Sequence, residues 1–368
     1  TGCVGVVFYF SPQVSSVAPQ AIRPRTGSLP LTAEPSACLA HPSASLFSSR
    51  RENSTPSGCR KEELILWHGA ENLKGGSWLR GNLHTHTTNS DGTYAMQEVI
   101  NTYADHGYDF LSISDHDIFT GRNEYEKIDN KGLVLIPGNE ISKDGPHLLH
   151  VNGDRLIEPH VNRQLVFDEA KATQGFVVIA HPNLTPGFNF CPIELLQEWT
   201  DYVGIEIFNM IVRRLAGSPY ATNKWDMLLS EGRRLWGFAN DDAHFWCAGN
   251  RKPGISDTGV GWNVVYADSC SSENILESLQ NGRFYCSTGV VIKTIQVEGP
   301  EIVIECENAS RIVGISRHGQ RVASSDSGSI KVDVSKDENW PPMSGYLRFE
   351  CWGDGEKNAW TQPFFLEE

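Results

Sequence analysis

Seven times between Leu79 and His244 a short apolar run ends in residues suited to binding metal, and this recurrence restricts the folds open to the chain more than any other feature. The segments are 79–86, 109–116, 133–140, 147–151, 176–182, 203–209 and 235–244. Runs of four to six apolar residues, alternating with helical stretches such as 95–106 and 166–173, predict parallel strands joined by crossover helices. An α/β barrel follows, in which strand ends converge on one mouth and carry the chemistry. Residues 259–266 predict one more strand, followed by a helix over 272–281. Past Gly289 the pattern changes to short alternating segments such as 301–306 and 346–351, broken by Gly, Asp and Pro. That spacing predicts a small antiparallel β-sandwich over 290–368, after a barrel over 63–289.

The strand-end residues form a metal-type set. His84-Thr85-His86 places two imidazoles on one side of an extended backbone, because side chains alternate with period two. Asp91 follows in the turn Asn89-Ser90-Asp91-Gly92, and Asp115-His116-Asp117 and Glu140 end the next two runs. His181 precedes Pro182, which keeps it extended, and Asp242-Ala243-His244 supplies another alternating pair. Any one of these could be a hydrogen-bonded strand end. Together, without cations, the carboxylates would repel and the imidazoles would lack acceptors. Six His and three carboxylates exceed the needs of one ion, and mixed nitrogen and oxygen ligation suits zinc, manganese or iron, so two or three divalent ions are expected.

At these motifs the chain resembles the PHP family, the polymerase and histidinol phosphatase superfamily of metal-dependent phosphoesterases. The resemblance runs over about 79–289 and is carried by Asn82-Leu83-His84-Thr85-His86-Thr87 with Ser90-Asp91-Gly92, Ser114-Asp115-His116, Pro137-Gly138-Asn139-Glu140, Ala180-His181-Pro182 and Asp242-Ala243-His244. It implies a distorted seven-stranded (β/α) barrel with a trinuclear centre. One ion would take His84, His86 and Asp242 with Glu140 bridging, a second Glu140, His181 and a fourth-strand His, and a third Asp91, His116 and His244. The fourth-strand His is either His147 or His150, which lie on opposite faces. His150 is preferred because His-Val-Asn-Gly is similar to the family's pattern, leaving His147 a supporting role. Asp91 stands where some members carry His, as in the nucleotide or small-phosphate branch. Residues 358–364 resemble the closing strand of the β-sandwich attached to many stand-alone members, which favours a stand-alone enzyme over a polymerase fragment.

Composition narrows the partners. A formal net charge of −14 repels polyanions and disfavours gripping long nucleic acid, while bound cations would still admit a small phosphorylated substrate. No apolar run is long enough to span a bilayer. Nine cysteines without a Cys-x-x-Cys pair point weakly to a reducing, cytoplasmic compartment. Residues 1–62, rich in Ser, Pro and Ala, read as a disordered tail. The apolar stretch 3–10 has no basic region before it, so a complete signal peptide is not expected, although a truncated leader would leave export open.

The reaction implied is hydrolysis of a phosphomonoester or small phosphodiester by hydroxide generated at the metals. Asp117 and Asp241 are the candidate proton-handling carboxylates, with the alternative use of holding an imidazole in its tautomer. Arg122, Arg213 with Arg214, and Arg251 with Lys252 are candidate phosphate clamps, and Asn209 is a rim candidate. Competing readings are hydrolysis of a non-phosphate ester or amide, a metal-stabilised binding module without catalysis, and sugar stacking on Trp340, Trp352 or Trp360, although core packing is the commoner use of tryptophan.

Overall fold

The computed structural model describes residues 65–67, 69, 75–245, 258–335 and 345–367. The expected tail, Arg251, Lys252 and Trp340 lie outside them.

The fold is mixed α/β, with one large sheet and few helices. Strands β1 (Ile65–Trp67), β2 (Ser77–Asn82), β3 (Phe110–Ser112) and β4 (Val134–Ile136) are followed by β5 (Gly138–Ile141), β6 (Leu148–Val151), β7 (Phe176–Ile179), β8 (Gly204–Asn209) and β9 (Trp236–Asn240). The pairs β2–β3 and β3–β4 are parallel, as are β7–β8 and β8–β9. The pairs β5–β6 and β6–β7 are antiparallel, which corrects the expectation of parallel strands throughout. Only residues 142–147 separate β5 from β6, too few for the crossover a parallel pair needs. Strands β2–β4 and the five strands β5–β9 belong to different sheets. Isolated parallel bridges join their ends, Thr85 to Ala243 and His116 to Glu140.

Helices fill the connections. Helix α1 (Met96–Asp105) begins where the Ala95 N–H donates to the Glu98 carboxylate, and it buries Val99, Ile100 and Tyr103. A four-residue helix α2 (Arg122–Tyr125) follows β3. Helix α3 (Arg163–Ala170) starts three residues before the apolar pattern does, because the Asn162 side chain accepts from Gln164 N. Helices α4 (Ile193–Glu198), α5 (Thr222–Ser230) and α6 (Ser272–Gln280) follow among the described residues. The main core gathers Phe167, Val178, Ile205, Ile207, Trp225 and Phe238 between strands and helices.

The C-terminal part continues the large sheet. Strand β10 (Trp262–Ala267) pairs antiparallel with β2, so it is not a further parallel strand. It pairs in turn with β11 (Phe284–Ser287). Beyond lie β12 (Ile292–Glu298), β13 (Glu301–Cys306), β14 (Ala309–Ser316), β15 (Gln320–Ser325), β16 (Ser329–Asp333), β17 (Gly345–Gly353), β18 (Asn358–Thr361) and β19 (Phe364–Glu367). Strand β11 pairs with β18, so pairing runs across residue 289. Strands β12, β13 and β16 form a separate antiparallel sheet. Its Ile292, Ile302 and Ile304 share a second core with Ile312, Leu347, Phe349 and Phe364. Trp360 is 3 % exposed and packs in the main core, which removes it from sugar stacking, while Trp352 lies under the guanidinium of Arg321.

Candidate metal centre

The strand ends bring eight of the nine expected ligands to one place. His84 and His86 follow β2, His116 follows β3, Glu140 lies in β5, His181 follows β7, and Asp242 and His244 follow β9. Asp91 closes in from the turn after His86, its Oδ1 3.3 Å from His244 Nε2 and 3.6 Å from His116 Nε2. Glu140 is central. Its Oε2 lies 3.4 Å from His84 Nε2, 3.5 Å from His86 Nε2 and 2.8 Å from His116 Nδ1, and its Oε1 lies 3.1 Å from His181 Nε2. Asp242 Oδ1 stands 3.2 Å from His84 Nε2 and 3.0 Å from His86 Nε2. Asp242 and His181 adopt positive φ values of 52° and 24°, so His181 is not extended as its place before Pro182 predicted, and both carry strain of the kind that persists where the surroundings over-determine the backbone.

His84 Nε2, His86 Nε2, Glu140 Oε2 and Asp242 Oδ1 are buried and make no hydrogen bond. Their lone pairs converge at the spacing of ligands around one ion, since donors about 2.1 Å from a tetrahedral metal lie about 3.4 Å apart. Burying four such atoms unsatisfied is costly, so the donor set fits a divalent cation. Four groups, His84–His86–Glu140, His84–His181–Asp242, His116–Glu140–His147 and His86–Asp91–His116–His244, each bring their ligand atoms within 4.8 Å of one another.

His147, not His150, stands at the cluster. In the β5–β6 register Glu140 faces Leu149 and Asn139 faces His150, so His150 projects from the other face, and His147, two residues before Leu149, shares the face of Glu140. His147 Nδ1 is 2.9 Å from Glu140 Oε1. His150 Nε2 instead lies 3.1 Å from the Thr173 hydroxyl, its ring so close to Gly153 that a Cβ there would come within 2.3 Å.

Carboxylates behind the imidazoles hold them in place. Glu206 Oε1 lies 2.9 Å from His84 Nδ1, which fixes the proton there and directs the Nε2 lone pair into the cluster. Its other oxygen accepts from His181 N and from Asn209 Nδ2, both at 2.8 Å, and Asn240 Nδ2 donates to Oε1. Asn209 also donates to Asp242 Oδ2 at 3.2 Å and is buried, so it ties two carboxylates together from within and is not at the rim. Asp115 accepts from Thr87 N, Thr87 Oγ1 and Ser90 Oγ at 2.6–2.8 Å, shaping the turn that carries Asp91. Glu206 is absent from the sequence-derived site set, Asp115 enters it only within Asp115-His116-Asp117 and without a role of its own, and His147 only as the alternative to His150. A charged residue inside the apolar run Gly204-Ile205-Glu206-Ile207 was the available signal for Glu206.

The candidate proton-handling residues have their oxygens engaged elsewhere. Asp117 accepts from Ser142 N, Ser142 Oγ and Lys143 N, pinning the β5–β6 connection. Asp241, fully buried, accepts from the main-chain N–H groups of Gly259, Val260 and Gly261 and from the Tyr103 and Tyr108 hydroxyls, and burial raises its pKa. Of the clamp candidates, Arg122 lines a cavity of about 460 Å³ with Asn152 and Gln174. Those residues flank the ends of β6 and β7 opposite to His147 and His181, so Arg122 stands away from the cluster. Arg213, on a 3-10 turn after β8 that also carries Arg214, pairs with Glu356.

The electrostatics separate the imidazoles. Against its own burial, Glu140 is held well below the usual carboxylate range by His84, His147 and His116, and Asp242 likewise by His84, His86 and His244. Burial and the neighbouring His244 charge pull His86 down to about 4. Burial also opposes charge on His116, but Glu140 and Asp91 outweigh it and raise that group to about 9. Both carboxylates are therefore ionised and suited to ligation at neutral pH.

No protein-family model matches the sequence, and no curated protein matches it. Among solved structures, a two-domain protein from Bacteroides vulgatus containing a predicted PHP-like metal-dependent phosphoesterase matches 84 % of this chain and 99 % of its own, at 16 % identity and a TM-score of 0.45. A candidate metal-dependent phosphoesterase from Bifidobacterium adolescentis matches 55 % of this chain and 96 % of its own, at 15 % identity and a TM-score of 0.39. An amidohydrolase from Chromobacterium violaceum, solved with sulfate and no metal, matches 45 % of this chain and 87 % of its own, at 14 % identity and a TM-score of 0.34.

Proposed function

We propose that the chain is a metal-dependent hydrolase of PHP type that cleaves a phosphomonoester or small phosphodiester, with two or three divalent ions of zinc, manganese or iron. The observation that carries this reading is the convergence of the buried, unpartnered atoms His84 Nε2, His86 Nε2, Glu140 Oε2 and Asp242 Oδ1 on one another. Strands β2, β3, β5, β6, β7, β8 and β9 are the seven we assign to the barrel, with the two bridges closing it.

His84, His86, Asp242 and Glu140 would hold one ion, Glu140, His181 and His147 a second, and Asp91, His116 and His244 a third. Bound cations would supply hydroxide at neutral pH and neutralise phosphoryl oxygens as charge shifts. The chain's own work is orientation. Glu206 keeps His84 in one tautomer, the Asp242 carbonyl oxygen 2.9 Å from His244 Nδ1 does the same for His244, and Asp115 sets the turn bearing Asp91. His116 and His147 are the most exposed imidazoles of the set, with side chains 26 % and 22 % exposed, so substrate reaches the cluster from their side. Assaying manganese-loaded protein on aryl phosphates, phosphodiesters and carboxylic esters tests the reaction. Phosphate release that disappears in His84→Ala is expected, and turnover of carboxylic esters alone would contradict the phosphoesterase assignment.

A further inference from the structure

Among the described residues eight large apolar side chains are strongly exposed, and three of them, Ile118, Phe188 and Leu215, lie on the segments that follow β3, β7 and β8. Those strand ends also carry His116, His181 and Asn209. Exposed apolar side chains on segments that lead out of such a cluster are candidate contacts for an apolar part of whatever binds there. A fourth apolar group stands closer. The Phe190 ring meets His147 edge-on at 5.0 Å between centroids and an interplanar angle of 84°, and meets His181 at 5.2 Å. Phe190 is not among the partly buried side chains packed on any of the three apolar cores.

The segment bearing Phe188 and Phe190 is fastened from below. Lys224 on α5 is 5 % exposed, and its Nζ donates to the carbonyl oxygens of Pro182 and Phe188 at 2.9 Å and of Cys191 at 2.5 Å. Three carbonyls match the three donors of an ammonium, which is what burying that charge requires. The Leu215 segment docks alongside, Ser218 N donating to Asn183 O at 2.9 Å, with Gly217 so close to the carbonyls of Asn183 and Leu184 that any Cβ would clash.

We propose that Phe190, with Phe188 and Leu215, forms an apolar subsite at the His147–His181 edge of the cluster, and that it selects substrates whose phosphoryl group carries an aromatic or bulky apolar substituent. The inference rests on the phosphoesterase reading and adds the substrate class to it. Lys224 is the positioning residue, acting through the Pro182–Cys191 segment. A ring stacked on Phe190 strengthens binding by about 10-fold over a methyl group.

The test is calorimetric binding of phenylphosphonate and methylphosphonate, neither hydrolysable, to the manganese-loaded full chain. The wild type is expected to favour phenylphosphonate by about 10-fold. Phe190→Ala should bring the ratio close to one at wild-type metal content, Phe190→Tyr should retain it, and Lys224→Met should lower it although the ring is intact. Equal affinities in the wild type, or a preference that survives Phe190→Ala, would overturn the subsite. Failure of both phosphonates to bind fully loaded wild type would instead remove the phosphoester reading beneath it.

Discussion

At the scale of single residues, register decides which histidine serves the cluster. Because His147 shares the face of Glu140 and His150 does not, His147→Ala should lower the number of bound ions per chain while His150→Ala leaves it unchanged, as read by elemental analysis. Glu206 tests orientation separately from ligation. Glu206→Gln keeps the shape but weakens the hold on His84 Nδ1, and metal affinity should drop about 10- to 100-fold in a competitive chelator titration. His150 carries a distinct pH signature. Burial lowers its pKa from the ordinary 6.5 to about 4, so on acidification the unfolded chain takes up the proton first. The stability its neutral ring contributes is complete above pH 6.5 and is lost as pH falls from there to about 4. His150→Asn should reduce the acid-side loss, on the order of 2 kcal/mol, in urea unfolding compared at pH 7.5 and pH 5.

At the scale of elements, a buried ion pair joins the C-terminal strands to helix α5. Arg348 on β17 donates through Nε and Nη2 to the Asp226 carboxylate on α5, at 2.8 and 2.7 Å, and Tyr346 Oη donates to the same group. Asp226→Asn removes the carboxylate facing Arg348 Nε and Nη2 and leaves only Glu350, 2.8 Å from Nη1, to balance that charge, so it should cost up to about 3 kcal/mol, seen as a lowered Tm. How far these elements were legible depended on the kind of information needed. Strand positions were legible because each is a short apolar run, and α1 and α6 matched their periodicity to within a residue or so. Strand direction was not, because the reversal at β6 is set by the brevity of 142–147 and by its partners β5 and β7. The preference for His150 rested on the likeness of His-Val-Asn-Gly to a family pattern, whereas register between strands, a tertiary property, puts His147 on the face of Glu140.

For the whole molecule, the meeting of these side chains was legible because strand ends converge, and eight of the nine expected residues come together. The supporting carboxylates were harder to see. Asp117 and Asp241 look like free acids in the sequence, and only the fold shows their oxygens saturated by main-chain donors brought from 142–143 and 259–261. Arg122 was misplaced for a related reason, because a loop residue after a strand can pack toward either end of the sheet. The central claim is that the shared His, Asp and Glu cluster holds metal that the reaction needs. Its most direct test is a titration of chelator-stripped protein with manganese or zinc while phosphate release from an aryl phosphate is followed. The account predicts no release at zero metal, a rise that saturates at two or three equivalents per chain, and no rise in His84→Ala; release independent of added metal, or undiminished in His84→Ala, would contradict it.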